Sequence, residues 1–300
     1  MTCPSYADLR FLVLCALMAS LATLAGCSAR SLIVQGVADE LASQGQAPEE
    51  DLQLAREAGA FYLKLTESLL RESPGHLRLA EAVAGGFTPY AYAFVAAEAD
   101  RLEARDARGA QRLRERAARL YLRAQRHALA ALEQRHPGLL RDLAGPDPAR
   151  WPAIAAAEVG VAYWGAAAWG AYISLSKDSP DAVADLPLAI RLAQLAYRAE
   201  PDHAEGGLAS LMGSFEVARP GGSATQAAVY FDQAIRLGAG RSAAPLVAKA
   251  EAIAQPAGDR AGFEALLRQA VAASTLRLDL QNAAMRERAL WLLASIDDLF

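Results

Sequence analysis

From Val159 to Ser176 the chain reads VGVAYWGAAAWGAYISLS, eighteen residues without a charged side chain, with Glu158 before them and Lys177 after. A segment of this kind is either a membrane span or a helix walled by protein on every side. Its content argues against lipid. Only Val159, Val161, Ile173 and Leu175 are strong membrane formers, each worth roughly a few tenths of a kcal/mol on insertion, and the three glycines and two serines contribute little or oppose. At about 100° per residue, Ala162, Ala166, Gly170 and Ser174 form a ridge of small residues that another helix can approach closely. Tyr163, Trp164, Trp169 and Tyr172 point in separate directions around the remaining surface. Their polar tips need partners when buried, so the segment reads either as core alone or as core that also lines a ligand cleft.

Such a helix needs several neighbours, and the rest of the chain supplies candidates. From Pro48 onward Ala, Leu, Arg and Glu dominate, and β-branched runs are scarce. Breakers recur at intervals of roughly twenty to thirty residues. Pro48-Glu49-Glu50-Asp51 predicts a helix start with acids at the positive end of the dipole, and Ser73-Pro74-Gly75 its close. Gly85-Gly86-Phe87-Thr88-Pro89 predicts an interruption, with Thr88 as N-cap and Pro89 in the first helical position. His136-Pro137-Gly138 ends a long charged helix, and Gly145-Pro146-Asp147-Pro148 leads into the uncharged run. Ser179-Pro180-Asp181 starts another helix and Glu200-Pro201-Asp202 ends it. Arg219 to Ser223 is a loop, after which Ser223 and Gln226 predict a capping box. A last helix is expected from about Gln281 to Leu299.

Internal repetition refines this picture. Ala227, Phe231 and Ala234 precede a turn at Gly238, and Ala189, Ala193 and Ala196 precede Pro201. These offsets match the second helix of tetratricopeptide repeats, where small residues let paired helices approach. Ala124, Ala128 and Pro137 fit more loosely. The first helices lack the usual Trp-Leu-Gly-Tyr set, so the repeats are degenerate, and an irregular helical bundle is the competing reading. The expected fold is all-α, with antiparallel helix pairs stacked as a compact tetratricopeptide-like α-solenoid spanning residues 48–300.

The N-terminus carries a different signal. After Arg10, FLVLCALMASLATL leads into Leu24-Ala25-Gly26-Cys27. A short early apolar run ending in small residues marks a secretory signal. The Cys directly after Leu-Ala-Gly makes residues 1–26 resemble the signal peptide of a bacterial lipoprotein. That resemblance places cleavage between Gly26 and Cys27 and a covalent lipid on Cys27. Residues 27–47 then read as a lipidated tether with a helical turn or two. Cys3 and Cys15 leave with the signal, so the exported chain has no pair for a disulfide and depends on its core.

Net charge is −4, which offers nucleic acid no attraction. The Arg-rich run from Arg101 to His136 is interleaved with Glu and Asp and reads as a solvated helix face. His76, His127, His136 and His203 are widely separated, so no metal site is expected. Ser174-Leu175-Ser176-Lys177 fits the S-x-x-K pattern of penicillin-recognising enzymes, but the S-D-N and K-T-G elements are absent. Asp297 and Asp298 point to different sides of a terminal helix. No catalytic residue and no cofactor beyond the lipid are expected.

Taken together, GGFTPYAYAFV (85–95), LYLRAQRHALAALEQRHPG (120–138), YWGAAAWGAYISLSKDSPDAVADLP (163–187) and the terminal DDLF resemble the T component of TRAP transporters (TatT), in the expected order across nearly the whole exported chain. The resemblance implies a periplasmic lipoprotein with cryptic tetratricopeptide-type helix pairs, assembled as a homotrimer. It implies a partner, the periplasmic solute-binding protein of a TRAP system, and a cleft or pore for a small apolar or carboxylated ligand. Tyr163, Trp164, Trp169 and Tyr172 then become candidate cleft residues, with Tyr90, Tyr92 and Phe94 as a second wall and Lys177 for a ligand carboxylate. Asp178 either pairs with Lys177 or caps the next turn. The alternative function is a general cell-envelope scaffold whose repeats bind a peptide or assembly partner.

Overall fold

The computed structural model describes residues 36–43, 49–145 and 147–300. Cys27, the Gly26–Cys27 cleavage point, the signal segment and most of the tether lie outside the described residues. Residues 36–43 form helix α1. There follow α2 (Leu52–Glu72), α3 (Leu77–Ala91), α4 (Ala97–Leu102), α5 (Ala107–Arg135), α6 (Leu139–Ala144) and α7 (Ala156–Ser174). The second half comprises α8 (Pro180–Ala184), α9 (Leu186–Ala199), α10 (Gly207–Ala218), α11 (Ala224–Leu237), α12 (Ala244–Lys249), α13 (Arg260–Ser274), α14 (Leu280–Ala294) and α15 (Ile296–Leu299). Among the described residues there is no strand. The fold is an all-α solenoid in which successive long helices pack on one another.

Local chemistry sets most boundaries. Asp51 caps α2 by accepting from the amides of Gln53 and Leu54 at 2.9 and 3.0 Å. The carboxylates of Asp106, Asp259 and Asp279 cap α5, α13 and α14 in the same way. The repeat positions are helix–helix contacts: Ala124, Ala128, Ala189, Ala193, Ala196, Ala227, Phe231 and Ala234 all have no exposed surface.

Four boundary expectations are corrected. α3 runs straight through Thr88 and Pro89. Thr88 does not cap; its hydroxyl donates to the Ala84 carbonyl at 2.8 Å. A mid-helix proline costs about 3 kcal/mol, but Val83, Ala84, Phe87, Thr88 and Ala91 are all buried here, and this packing offsets it. A π-helical turn, Tyr92–Ala96, follows at once and restores the chain to α4. Second, the charged run is two helices, because Asp106 caps a new start. Third, Ser223 accepts from Gln226 N at 3.2 Å, but its own amide donates to Glu216 at 2.9 Å, so the capping box is only half formed. Fourth, the last helix breaks at Ser295.

The uncharged run is α7, and it lies at the centre of the N-terminal half. It packs on α3, α5, α9 and α10. Glycines admit three of these neighbours. A Cβ on Gly165 would lie 2.9 Å from Ala128 Cβ of α5, and one on Gly170 would lie 2.7 Å from the Phe215 ring of α10. One on Gly160 would collide with the Glu81 carboxylate of α3. Glu158 anchors the start of α7, accepting from Ala155 N at 2.8 Å and contacting His136 at the end of α5 at 3.0 Å. No helix among the described residues is long and apolar enough to cross a membrane.

The solenoid curves until its ends meet, with α14 packing on α2. Arg288 of α14 reaches Asp100 of α4 at 2.8 Å, and Glu287 faces Arg101 at 3.6 Å.

Candidate functional site

This closure leaves cavities inside the ring. At the C-terminal end of α7 lies an apolar one of about 780 Å³, walled by Ala167, Ile173, Leu186, Leu211 and Phe215 from α7, α9 and α10. Among the described residues, Lys177 is the only charged one on its lining. It is exposed, and among the described residues it has no ion-pair partner. Asp178 does not pair with it, and the next helix is capped by Ser179, whose hydroxyl accepts from Ala182 N at 3.4 Å.

Ser174, Lys177 and Ser214 also line a second cavity of about 780 Å³, enclosed on the far side by Tyr92, Glu251 and Arg288. Tyr92 and Arg288 in turn line an outer groove of about 630 Å³ between α2, α4 and α14. Three spaces are therefore strung end to end, with Lys177 at one junction and Arg288 at the other.

Arg288 is fixed at its junction. It donates to Asp100 at 2.8 Å and to Glu251 at 2.6 Å, and its guanidinium lies 4.7 Å from the Trp291 ring centre. Burial works against its charge, but Glu251 and Asp100 hold its pKa above the ordinary value. Burial pushes the Tyr92 phenol up, and the nearby Glu251 carboxylate adds to this, so Tyr92 stays neutral. Tyr92 belongs to one π-helical turn and Glu251 to the other, Ala250–Ala254. Such turns widen a helix locally and recur at functional sites.

The structure distributes the sequence-predicted aromatics rather than gathering them. Tyr92 shares the outer groove with Phe94 and the central cavity with Lys177. Tyr90 meets Phe94 edge-on at 5.1 Å, and its ring lies 3.3 Å from where a Gly59 Cβ would stand. Trp169 is 3% exposed and belongs to the core. Tyr172 packs against the cluster of Ala91, Val95, Ala117 and Tyr121. Tyr163 is buried against Trp164, with ring centres 4.7 Å apart. Trp164 lines a separate pocket of about 380 Å³ with Glu81 and His203.

Sequence reasoning missed Arg288 and Glu251, and with them Ser210 and Ser214 on the wall of the central cavity. Arg288 is 188 residues from its partner Asp100, and no local pattern announces such a pair. The S-x-x-K serine is otherwise occupied, since Ser174 Oγ donates to its own helix at Ala171 O, 2.8 Å away. Among the described residues, no three or more His, Cys, Asp or Glu side chains gather as a metal site.

Residues 48–300 match the family described as TRAP transporter T-component. The chain belongs to that family. All the helices that build the three linked cavities of this T-component fall within the matched span. It is also 29% identical over 317 residues to a protein of Treponema pallidum (strain Nichols) described as uncharacterized, an alignment covering 96% of this chain and 97% of that one.

Proposed function

We propose that this T-component is a non-catalytic accessory of a TRAP transporter. It is held in the periplasm by a lipid on Cys27, docks the solute-binding protein as a homotrimer, and holds a small apolar or carboxylated ligand in its linked cavities. The observation that carries the ligand reading is the apolar space beside α7, whose only charged lining residue among the described residues is Lys177. Apolar walls contribute about 25 cal/mol for each Å² of ligand surface removed from water. An ammonium at the rim, without an ion-pair partner among the described residues, would orient a carboxylate at one end.

Octanoate and octan-1-ol separate these two contributions. Both are expected to bind, and Lys177→Ala is expected to weaken octanoate about tenfold or more while leaving octanol nearly unchanged. Equal effects on the two ligands would remove Lys177 from carboxylate recognition. The docking reading is tested by mixing the purified protein with the TRAP solute-binding protein and looking for a shared elution peak.

A further inference from the structure

The pocket that takes Trp164 away from the main cavities carries both acidic and basic side chains on its wall. Its wall includes Tyr62, Arg78, Glu81, Trp164 and His203. The basic side chains there are already engaged. Arg78 pairs with Asp39 at 3.1 Å, and His203 Nδ1 contacts Glu200 at 2.9 Å.

Glu81 is not engaged. It is half-buried, and among the described residues no hydrogen bond or salt bridge reaches its carboxylate. Its side chain lies over Gly160, where any Cβ would displace it, so α7 presents bare backbone to it. Burial raises its pKa, only partly opposed by the more distant charges of His203 and Arg78. The Trp164 indole is pressed onto Gly85, with Nε1 2.7 Å from where a Cβ would stand. That N–H has no hydrogen-bond acceptor among the described residues. Beside them, Ala204 on the pocket wall and its neighbour Glu205 hold left-handed backbone at φ 55° and 51°, unfavourable for residues with a Cβ. A half-buried carboxylate with no donor among the described residues, next to an aromatic wall, is left under-satisfied by them.

We infer that this pocket is a second ligand site, for a small molecule bearing a protonated amine whose ammonium group donates to Glu81. A carboxylate ligand of the kind Lys177 would orient is excluded by the same Glu81 charge, so the two sites of the T-component select opposite ends of chemical space.

The test uses the full chain in detergent micelles at neutral pH, with ethylammonium as probe and ethanol as its uncharged isostere, at matched ionic strength. Ligand-observed NMR is expected to show saturable ethylammonium binding and none with ethanol. Glu81→Gln is expected to weaken ethylammonium at least about tenfold, and Lys177→Ala to leave it unchanged. The Gln variant loses no hydrogen bond among the described residues and is expected to fold. Should it not, the ethylammonium–ethanol comparison on the unaltered protein still decides. Equal binding of the two probes, no saturable binding of ethylammonium, or undiminished binding in a folded Glu81→Gln protein would each overturn the inference.

Discussion

Glu67 on α2 and Glu81 on α3 are carboxylates tuned in opposite directions by their surroundings. Burial alone would raise Glu67, but Arg123, Lys64 and His127 all bond to it and hold its pKa at about 2. A carboxyl depressed below its ordinary value of 4.5 contributes stability at higher pH, and that contribution is lost as pH falls toward about 2. Glu67→Gln is therefore expected to cost about 2–4 kcal/mol at neutral pH and to flatten the acid limb of a pH series of urea unfolding curves. Glu81 has the reverse sign. Its raised pKa means that stability declines as pH rises above the ordinary carboxyl value, because the unfolded chain releases the proton more readily. Glu81→Gln is expected to melt at or above the parent temperature at pH 7, with the difference vanishing in acid. A lower melting temperature at pH 7 would mean that Glu81 is better satisfied than its surroundings indicate.

At the scale of elements, α7 shows what small residues achieve. Its lack of charge and its glycines require neighbours on all sides, and this much is readable from the letters alone. Which aromatic faces a cavity is not readable, because an all-round apolar helix has no polar face to mark its orientation. Trp164 reaches a pocket because Gly85 of α3 leaves room for its indole, whereas Trp169 meets solid core. Pro89 misleads for a related reason: its local stop signal is overruled by the packing of α3 on α5 and α7. Gly165→Val should force α5 and α7 apart at the Ala128 contact, at a cost of about 3 kcal/mol or more by chemical denaturation. Gly206→Ala should be at least as damaging. Gly206 sits at φ +94°, and an added Cβ would lie 2.8 Å from the Ala234 backbone.

For the molecule as a whole, the decisive feature is that the solenoid closes on itself. Helical character and the repeat spacing of α9 and α11 are local and legible; ring closure depends on contacts between residues far apart in sequence. Arg288 is the main latch, with its side chain only 15% exposed and carboxylates on both sides. Arg288→Ala leaves Asp100 and Glu251 facing a partly buried gap and is expected to cost about 2–4 kcal/mol. Hydrogen exchange should rise first in α14 and in the α12–α13 turn, because they lose their tie to α4. Unchanged exchange there would show that helix packing alone closes the ring.

The central claim is that this closed, cavity-bearing solenoid works as the T-component partner of a TRAP solute-binding protein. Size-exclusion chromatography of the purified protein mixed with that binding protein, at on the order of tens of micromolar each, tests it most directly. A single shared peak containing both chains is the expected result. Two independent peaks at that concentration, each at the position of the isolated protein, would contradict it.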